Sequence, residues 1–158
     1  MPAPIVDVFA CSPAEAACAA LLTRLDAYLI ALYPPEDNHL LSVQELLAPE
    51  VSFVAARSDG RVCGCGAILR RGAEYAEVKR MYVEPWARGR RLGARILLHL
   101  EALVAVEGFS LSRLEAGDRQ PEALRLYGRS GYRPIGPFGG YPQGRTSVFM
   151  EKTLPGAA

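Results

Sequence analysis

A chain of 158 residues, half of them hydrophobic and 22% charged, has the composition of a globular protein and not of an intrinsically disordered one. The formal net charge of +1 gives the whole molecule no electrostatic reason to coat nucleic acid or an anionic membrane. We therefore expect one domain over residues 1–158, with no nucleic-acid and no membrane partner.

The N-terminal segment and the cysteines indicate the cellular compartment. Residues 1–16 lack the basic and apolar regions of a signal peptide, and no apolar run is long enough to span a bilayer. The four cysteines, Cys11, Cys18, Cys63 and Cys65, form no C-x-x-C pair and have no histidine at zinc spacing. We predict a cytoplasmic protein without a metal ion, in which the cysteines are small packing residues.

The first elements are a short strand and a long helix. Weak alternation over Ile5–Cys11 predicts the strand. Ser12 and Glu15 have the spacing of a capping box, so we predict that a helix starts there and continues to about Tyr33.

A proline pair separates this helix from a second one. Pro34–Pro35 ends the first helix, because proline has no backbone N–H and the residue before it avoids helical angles. A short helix is predicted over Ser42–Leu47. The polar loop Glu36–His39 between the two helices either lines a site or is a solvated connector.

The remaining two thirds of the chain predict strands and two further helices. The predicted elements are strands over Val51–Arg57, Arg61–Arg71 and Glu74–Val83, a helix from Leu92 to about Gly108, a strand over Leu111–Glu115, a helix over Gln120–Ser130, and strands over Tyr132–Ile135 and Thr146–Lys152. Asp59-Gly60 is a hairpin signal, and Gly64 and Gly66 indicate a bulge or the close packing of another backbone. The order β-α-α-β-β-β-α-β-α-β-β predicts an α/β (α+β) domain, a mixed sheet with helices packed on it.

An arginine-rich turn joins the predicted strand that ends at Val83 to the predicted helix that starts at Leu92. Backbone N–H groups at a helix start have no intrahelical acceptor, and the helix dipole is positive there. Four arginines, Arg88, Arg90, Arg91 and Arg95, add guanidinium groups suited to phosphate. Neither G-x-x-x-x-G-K-[ST] nor G-x-G-x-x-G occurs at this turn, which excludes two familiar phosphate loops. We predict a site for a different small anion, the alternative being a solvated helix start.

Two segments resemble the motifs of the GNAT superfamily of acyl-CoA-dependent N-acetyltransferases. Met81–Pro85 followed by Arg88–Gly93 is similar to the motif [QR]-x-x-G-x-[GA] after a strand ending in aliphatic-x-Val-x-Pro, although Arg91 stands where the stricter pattern has glycine. Leu126–Tyr132 resembles the aromatic-rich second motif of the family. The resemblance covers roughly Val51–Leu154 and implies a GNAT-type fold, in which the mixed central sheet is mostly antiparallel.

Four short stretches also resemble one branch of that superfamily. The stretches LYPPEDNHLL, EVKRMYV, RQPEALRLY and SVFMEK are similar to the small bacterial branch typified by YsnE proteins. Membership of this branch would not fix the substrate.

The resemblance implies acetyl-CoA as the co-substrate, with no metal. Its pyrophosphate would lie against the backbone N–H groups of Arg88–Ala94, where Gly89 and Gly93 would allow close approach and positive φ angles. Its pantetheine arm would run beside free backbone groups of Met81 and Val83. The predicted cofactor-binding residues are Met81, Tyr82, Val83, Arg88, Gly89, Arg90, Arg91, Leu92, Gly93 and Ala94.

Two residues are predicted to move protons during acetyl transfer. An alkyl amine has a pKa of about 10.4, so it arrives mostly protonated at neutral pH and needs a proton acceptor. Glu77 is the predicted base, directly or through water, or else it is a charged residue at a solvent-facing strand position. Tyr127 matches the family tyrosine that protonates the leaving thiolate, or else it only packs its helix on the sheet. Direct transfer in a ternary complex requires no cysteine nucleophile.

The predicted acceptor site lies near the first helix-loop-helix and the last strand connection, as the resemblance implies. The predicted substrate-binding residues are Tyr33, Glu36, Asn38, His39, Arg80 and Tyr141. The acidic pair Glu36 and Asp37 favours a cationic amine, whereas Arg80 and Arg145 favour an acceptor that also bears a carboxylate. The sequence leaves open a polyamine, an amino acid, an antibiotic-like amine and a protein amine.

Two rival functions use the same loop. A non-catalytic acyl-CoA-binding or sensing module would keep the loop without needing Glu77 and Tyr127. An RNA-binding arginine cluster would bind in a strongly salt-dependent way. For the enzyme we expect acetyl-CoA and an amine acceptor as partners, and the apolar C-terminal strand pair could support a homodimer.

Overall fold

A single sheet of seven strands organises the chain. The computed structural model describes residues 2–155. The strands are β1 (Val6–Ala10), β2 (Val51–Ser58), β3 (Arg61–Arg71), β4 (Tyr75–Val83), β5 (Leu111–Gly117), β6 (Arg133–Ile135) and β7 (Ser147–Thr153). The helices are α1 (Ala16–Leu32), α2 (Val43–Leu46), α3 (Leu92–Ala105) and α4 (Pro121–Arg129), with single 3₁₀ turns at Pro35–Asp37 and Pro85–Ala87. The predicted order of strands and helices is confirmed.

The strand pairing confirms a mixed, mostly antiparallel sheet. Its order is β1-β2-β3-β4-β5-β7-β6, and every neighbouring pair is antiparallel except β4 with β5. The turn at Asp59 and Gly60 has φ angles of 52° and 82°, the left-handed pair typical of a tight hairpin. The chain therefore runs antiparallel through β1–β4 and crosses once, by way of α3, to a parallel neighbour.

The helices pack on both faces of the sheet. On one face, α1 and α2 bury Cys18, Leu21, Leu22 and Leu46 against β2 and β3. On the other face, α3 buries Leu92, Ile96, Leu97, Leu100 and Val104, and α4 adds Tyr127 to the same core. A fully buried leucine contributes about 1.5–3 kcal/mol, so this second, larger core fixes α3 on the sheet.

Glycines in β3 let α3 lie close to the sheet. A Cβ atom on Gly66 would lie 2.7 Å from Ile96 Cγ2 and 2.7 Å from Met81 Sδ, distances that real Cβ atoms do not show. The register of β3 shifts against β2 and again against β4 near these glycines. Both predictions for Gly64 and Gly66, a bulge and close packing, are thus met, although at Gly66 the packing partners are side chains.

The parallel strands β4 and β5 separate soon after they pair. They are paired over three positions, from Ala76 with Ser112 to Val78 with Leu114. Beyond Val78, β4 continues to Val83 without a partner on this side, and a φ angle of 58° at Arg80 marks an irregular backbone there. The split opens at the carboxyl ends of two parallel strands, where α/β sheets commonly bind ligands.

The predicted start of the first helix is wrong. Helix α1 begins at Ala16, and Glu15 at its N-cap makes no side-chain capping bond. The Glu15 N–H donates to the Ser12 carbonyl at 3.1 Å, so the residues that suggested a capping box close a separate turn. A capping box does occur at α2, between Ser42 and Glu45.

The cysteines confirm the expectation that they pack in the interior. Cys18, Cys63 and Cys65 are buried, Cys11 is half-buried, and all four are free thiols. Over residues 2–155, no helix is both long enough and apolar enough to cross a membrane.

Candidate active site

The turn before α3 presents a row of free backbone donors. Six consecutive amides, from Gly89 to Ala94, have no acceptor within the described chain. The amides on either side are bonded: the Arg88 N–H donates to the Pro85 carbonyl at 3.3 Å, and the Arg95 N–H donates to the Arg91 carbonyl at 3.1 Å. Gly89 has a φ angle of 81° and Arg91 one of 60°, so the backbone coils back on itself here. Successive N–H groups in such a turn at a helix start form an anion-binding concavity.

The structure changes the roles of two residues in this turn. Gly93 lies within α3 and does not have the positive φ angle that we expected; a Cβ there would instead lie 2.9 Å from Leu126 Cδ2 in α4. Arg91 has the left-handed conformation, with φ 60° and ψ 24°. A residue with a Cβ pays about 1–2 kcal/mol for that conformation, which explains why glycine suits this position better.

The arginine side chains of the turn point in different directions. Arg88 is exposed, and its Nε donates to the Val83 carbonyl at 3.4 Å. Arg90 extends to the β2–β3 turn, where its Nη1 donates to Ser58 Oγ at 2.8 Å. Arg91 lines the surface cavity beside the free amides. Side-chain charge at the concavity itself therefore comes chiefly from Arg88 and Arg91.

Four adjoining cavities lead from this turn through the split in the sheet. The loop cavity lies between the start of α3 and Leu126, and the middle cavity lies between Met81–Val83 and Pro121–Tyr127. The inner cavity follows, with Tyr127, Lys79 and Glu115 in its walls. The outer cavity adjoins it and is bounded by two loops, which contribute Asn38–Leu41 and Gly139–Pro142. Each cavity shares lining residues with the next, so the four lie side by side in a row that we call the active-site path.

Tyr127 lies where the middle and inner cavities meet. It lines both of them, and its hydroxyl makes no hydrogen bond within residues 2–155. Burial, reinforced by the negative charge of Glu115, raises the pKa of Tyr127 well above its ordinary value. The phenol is therefore protonated at neutral pH and has a proton to donate. Its ring also packs edge-on against Tyr132, so the packing role considered for Tyr127 is filled as well.

Glu77 lies in the wall beside the outer cavity and not in a solvent-facing position. Its side chain has no exposed surface. The Tyr141 hydroxyl and Arg71 Nε both donate to its carboxylate, the latter at 3.2 Å, and Lys79 Nζ lies 3.6 Å away. Burial lowers the pKa of Lys79, and the charge of Glu77 opposes that shift. The solvent-facing alternative for Glu77 is wrong, and its predicted role as base stays a prediction.

Glu115 is a carboxylate that the sequence analysis did not single out. It lines the inner cavity together with Tyr127, and Ser147 Oγ donates to it at 3.2 Å. Burial raises the pKa of Glu115, although His39 and Lys79 partly offset the shift. Its position becomes evident only in the fold, where Glu115 follows the paired part of a parallel strand, a place where functional side chains collect.

Four of the six predicted acceptor residues line the inner cavity, namely Tyr33, Asn38, His39 and Arg80, and His39 and Asn38 also reach the outer one. Tyr33 is buried at the end of α1, and its hydroxyl accepts from the Arg119 N–H at 2.8 Å. Asn38 Nδ2 donates to the Tyr33 carbonyl at 3.3 Å, which shapes the loop. The His39 ring contacts Tyr141 edge-on at 5.1 Å between centroids. The loop after α1 is therefore a cavity wall and not only a connector.

The structure places the other predicted acceptor residues differently. Tyr141 lines the outer cavity, and its hydroxyl joins Lys79 to Glu77. Glu36 is exposed and lines none of the four cavities. Arg80, the fourth of these residues in the inner cavity, turns its guanidinium under α1, where its Nη2 donates to Asp26 at 2.6 Å and to the Leu22 carbonyl at 3.2 Å. That guanidinium is thus bound to the helix, and its predicted contact with the acceptor stays a prediction.

The arrangement as a whole can hold an anion and move protons. A row of free amides leads by a split parallel strand pair to a tyrosine and a carboxylate in one cavity. The model of the family described as acetyltransferase (GNAT) domain matches residues 49–134, more than half of the chain. The chain belongs to the GNAT acetyltransferase family. This confirms the resemblance found in the two sequence motifs, and the protein is an acyltransferase enzyme.

Two relatives support this membership. The GNAT chain is 43% identical over 152 residues to a protein of Azospirillum brasilense named IAA acetyltransferase, covering 96% of this chain and 99% of the relative. It is 29% identical over 123 residues to the uncharacterized N-acetyltransferase YsnE of Bacillus subtilis, covering 77% and 82% of the two chains. The second match agrees with the branch that the sequence resembles.

Solved structures have the same fold. A Klebsiella pneumoniae protein described as an acyl-CoA N-acyltransferase superposes with a TM-score of 0.80 at 36% identity, over 95% of this chain and 98% of that one. The PaiA N-acetyltransferase of Thermoplasma acidophilum, solved in complex with coenzyme A, superposes with a TM-score of 0.73 at 18% identity, over 94% and 99% of the chains. The GNAT fold is therefore shared along nearly the whole length of this chain.

Proposed function

We propose that this GNAT protein transfers the acetyl group of acetyl-CoA to a primary amine by direct attack in a ternary complex. One observation carries the proposal: the free amides of Gly89–Ala94 and the side chains of Tyr127 and Glu115 lie along the active-site path. Acetyl-CoA would supply a thioester, an acetyl carbonyl already activated by a thiol leaving group. The name of the Azospirillum relative, an acetyltransferase at 43% identity, supports the same group transfer.

The loop and the split strand fit the two ends of such a molecule. Six unpartnered N–H groups at the positive end of α3 match a pyrophosphate, and Arg88 and Arg91 add charge beside them. The unpaired edge of β4 offers backbone groups of Met81 and Val83 to the amide-rich pantetheine arm. Over residues 2–155 no three His, Cys, Asp or Glu side chains gather closely enough to hold a metal ion.

Tyr127 is the proton donor in this proposal. Its phenol has a raised pKa and no hydrogen-bond partner within the described chain. It lies where the middle cavity, which would hold the thioester, meets the inner cavity. A thiolate that leaves the carbonyl needs a proton or a strong hydrogen bond, since the thiol pKa is about 8.5. The tyrosine can supply either. General acid catalysis of this kind contributes about 10²–10⁴-fold.

Two carboxylates compete for the role of proton acceptor. Glu77, the base predicted from the sequence, accepts one hydrogen bond on each oxygen, from Arg71 and Tyr141, and has no exposed surface. Glu115 lines the inner cavity beside Tyr127, and burial has raised its pKa toward neutrality. A raised pKa makes a carboxylate a stronger base. We therefore assign the direct acceptor to Glu115, and Glu77 would act only through an intervening water or group.

The test is an acetylation assay on the wild-type protein and on Tyr127→Phe. Purified protein is incubated with acetyl-CoA and a panel of amines, and free thiol and acetylated amine are both quantified. We expect at least one amine to be acetylated well above thioester hydrolysis, and Tyr127→Phe to lower kcat by about 100-fold with unchanged CoA affinity. Tyr132→Phe is the matched control, because Tyr132 is also buried but its hydroxyl binds Glu101 and Ser112 instead of facing a cavity.

The same assay tests one rival function, and a measurement of RNA binding with and without CoA tests the other. A non-catalytic acyl-CoA-binding module would bind CoA but acetylate no amine in the panel. An RNA-binding arginine cluster would bind RNA with a steep salt dependence that saturating CoA leaves unchanged. If turnover of Tyr127→Phe equals that of the wild type, Tyr127 is not the acid.

A further inference from the structure

We propose that the acceptor is an amino acid or a similar molecule, with a carboxylate close to the amine that is acetylated. The inference rests on the proposed acetyl transfer and names its substrate class. It comes from the outer cavity, whose charged lining residues are cationic, Arg71 and Lys79, with no carboxylate among the described residues that line it. A purely cationic acceptor would have to pass these two groups.

Arg71 has the geometry of a carboxylate receptor. Its Nε donates to the buried Glu77 at 3.2 Å, which fixes the plane of the guanidinium. Its terminal nitrogens, Nη1 and Nη2, make no hydrogen bond to any residue of the described chain, and 44% of the side chain is exposed. A planar guanidinium with two free donors on one edge binds a carboxylate through two parallel hydrogen bonds.

Lys79 holds a second positive charge between the two cavities. It lines both the inner and the outer cavity, and only 9% of its side chain is exposed. Its Nζ donates to Tyr141 at 2.7 Å and to the His39 carbonyl at 3.0 Å, so the ammonium group is held in one place. A carboxylate in the outer cavity would therefore meet one fixed charge on its inner side and one exposed guanidinium on its outer side.

The two ends of the path favour opposite charges, which suits an acceptor that has both an amine and a carboxylate. At the inner end of the path, Glu115 would accept the proton of the amine, and Tyr127 would donate a proton to the leaving thiolate. At its outer end, Arg71 and Lys79 favour the opposite charge. Arg71 and Lys79 share the single carboxylate of Glu77, so an amine without a carboxylate would meet an excess of positive charge and would leave the two terminal nitrogens of Arg71 without a partner in the described chain. Of the two arginines, Arg71 lines the outer cavity with terminal nitrogens that are free within residues 2–155, whereas Arg80 lines the inner cavity with its Nη2 bound to Asp26 and to the Leu22 carbonyl, so we assign the acceptor carboxylate to Arg71.

The first experiment compares matched acceptors. Wild-type protein is assayed with pairs that differ only in the carboxyl group, such as phenylalanine with phenethylamine and leucine with isopentylamine. We expect kcat/KM to be at least about 10-fold higher for the carboxylated member of each productive pair, the effect of one charge-assisted hydrogen bond. Equal rates, or a preference for the amine that lacks the carboxyl group, would overturn the inference.

The second experiment uses Arg71→Gln with Arg57→Gln as its matched control. Arg57 is also a strand arginine paired with a carboxylate, Asp7, and its side chain is 42% exposed, but it lies outside the four cavities. We expect Arg71→Gln to raise KM for the carboxylated acceptor about 10–100-fold and to change KM for its amine partner little. Arg57→Gln should change neither. If Arg71→Gln weakened both acceptors equally, Arg71 would only support the fold.

A binding measurement keeps the inference testable without turnover. Calorimetry on CoA-loaded protein compares N-acetylphenylalanine and N-acetylleucine with N-acetylphenethylamine and N-acetylisopentylamine. Tighter binding of the acids, lost in Arg71→Gln, supports the inference, and equal binding or no detectable binding of the acids overturns it. A protein that acetylates no amine yet discriminates these ligands would refute the proposed function and not the carboxylate subsite.

Discussion

The two ends of the active-site path, where we propose that the cofactor and the acceptor bind and which we call the cofactor end and the acceptor end, are built in opposite ways. The cofactor end is made of consecutive backbone amides, Gly89–Ala94, at the start of one helix. The acceptor end is made of side chains from distant parts of the chain: Arg71 in β3, Lys79 in β4, Glu115 in β5 and Tyr141 in the last loop. One end depends on local backbone shape, and the other depends on the whole fold being assembled.

This difference explains how each end tolerates change. A backbone site needs only residues that permit its φ angles and its close contacts, so many side chains can be exchanged without loss of the amides. A side-chain site changes its charge and shape with each substitution, and can be altered without touching the loop. In a family with one cofactor and many acceptors, we expect the acceptor end to vary most. Four substitutions test the contrast between the two ends of this protein.

The largest effect should come from Glu115→Gln at the acceptor end. Removing the proton acceptor should lower kcat about 100-fold and leave CoA affinity unchanged. Because burial raises the pKa of Glu115, the wild-type rate should rise with pH through a carboxyl ionisation above the ordinary glutamate range, and this rise should be missing in the variant. The measurement is kcat/KM against pH. Glu77→Gln is the paired variant, and if it alone removes the rise, the base is Glu77 or acts through it.

Tyr141→Phe should cost about 2 kcal/mol of unfolding free energy. The substitution removes the hydroxyl that donates to Glu77 and accepts from Lys79, and so leaves a buried carboxylate with one donor fewer. Because only the acceptor end is disturbed, KM for the acceptor should rise several-fold while CoA affinity holds. Urea unfolding and calorimetry measure the two quantities. A fall in CoA affinity would mean that the two ends are coupled.

Gly93→Val should cost about 1–2 kcal/mol of unfolding free energy and also weaken CoA binding. Any Cβ at this position meets Leu126 Cδ2 at 2.9 Å, so the Leu126 side chain must shift, and we expect the further methyl groups of valine to push α3 and α4 apart at the cofactor loop. The double variant Gly93→Val with Leu126→Ala should recover part of the CoA affinity, since the space is vacated. Additive losses in the double variant would show that close packing of the two helices is not the reason for glycine there.

The smallest effect should come from Arg91→Gly, and it should be a gain. The left-handed conformation costs Arg91 about 1–2 kcal/mol, and glycine removes this cost. Glycine also adds conformational entropy to the unfolded chain, so the net stabilisation should be about 0.5–1 kcal/mol. Chemical denaturation measures it, with Arg95→Gly as a control that should destabilise, because Arg95 lies in the helix. CoA affinity then isolates the charge: if it falls, the Arg91 guanidinium contacts phosphate, and if it holds, Arg91 is only tolerated.

The contrast also explains what could be predicted from the sequence. The sheet, its hairpins and the cofactor loop follow from patterns within short windows, such as the Asp59-Gly60 turn and Arg88–Gly93, and their predicted positions agree with the structure. The start of the first helix was predicted wrongly, because the spacing of Ser12 and Glu15 fits a separate turn as well as it fits a capping box.

The acceptor end could not be predicted from such windows. Arg71 and Tyr141 lie 70 positions apart and meet at Glu77 only because the sheet and the last loop bring them together. Arg80 looked like an acceptor ligand, yet an irregular strand with a φ angle of 58° turns its side chain under α1. Glu115 was passed over because nothing in its own stretch shows that β5 runs parallel to β4 and separates from it.

The three paired positions between β4 and β5 have a consequence for how the domain holds together. Most sheets are weakest at their edges, but this one has a short seam at its centre, between β1–β4 on one side and β5–β7 on the other. A molecule that fills the split touches both sides and closes the seam. Its binding free energy then adds to the cohesion of the fold, about 2.7 kcal/mol at a hundred times its Kd. Because bound CoA would fill the gap between β4 and β5, we expect amide hydrogen exchange in both strands to slow together as CoA is added.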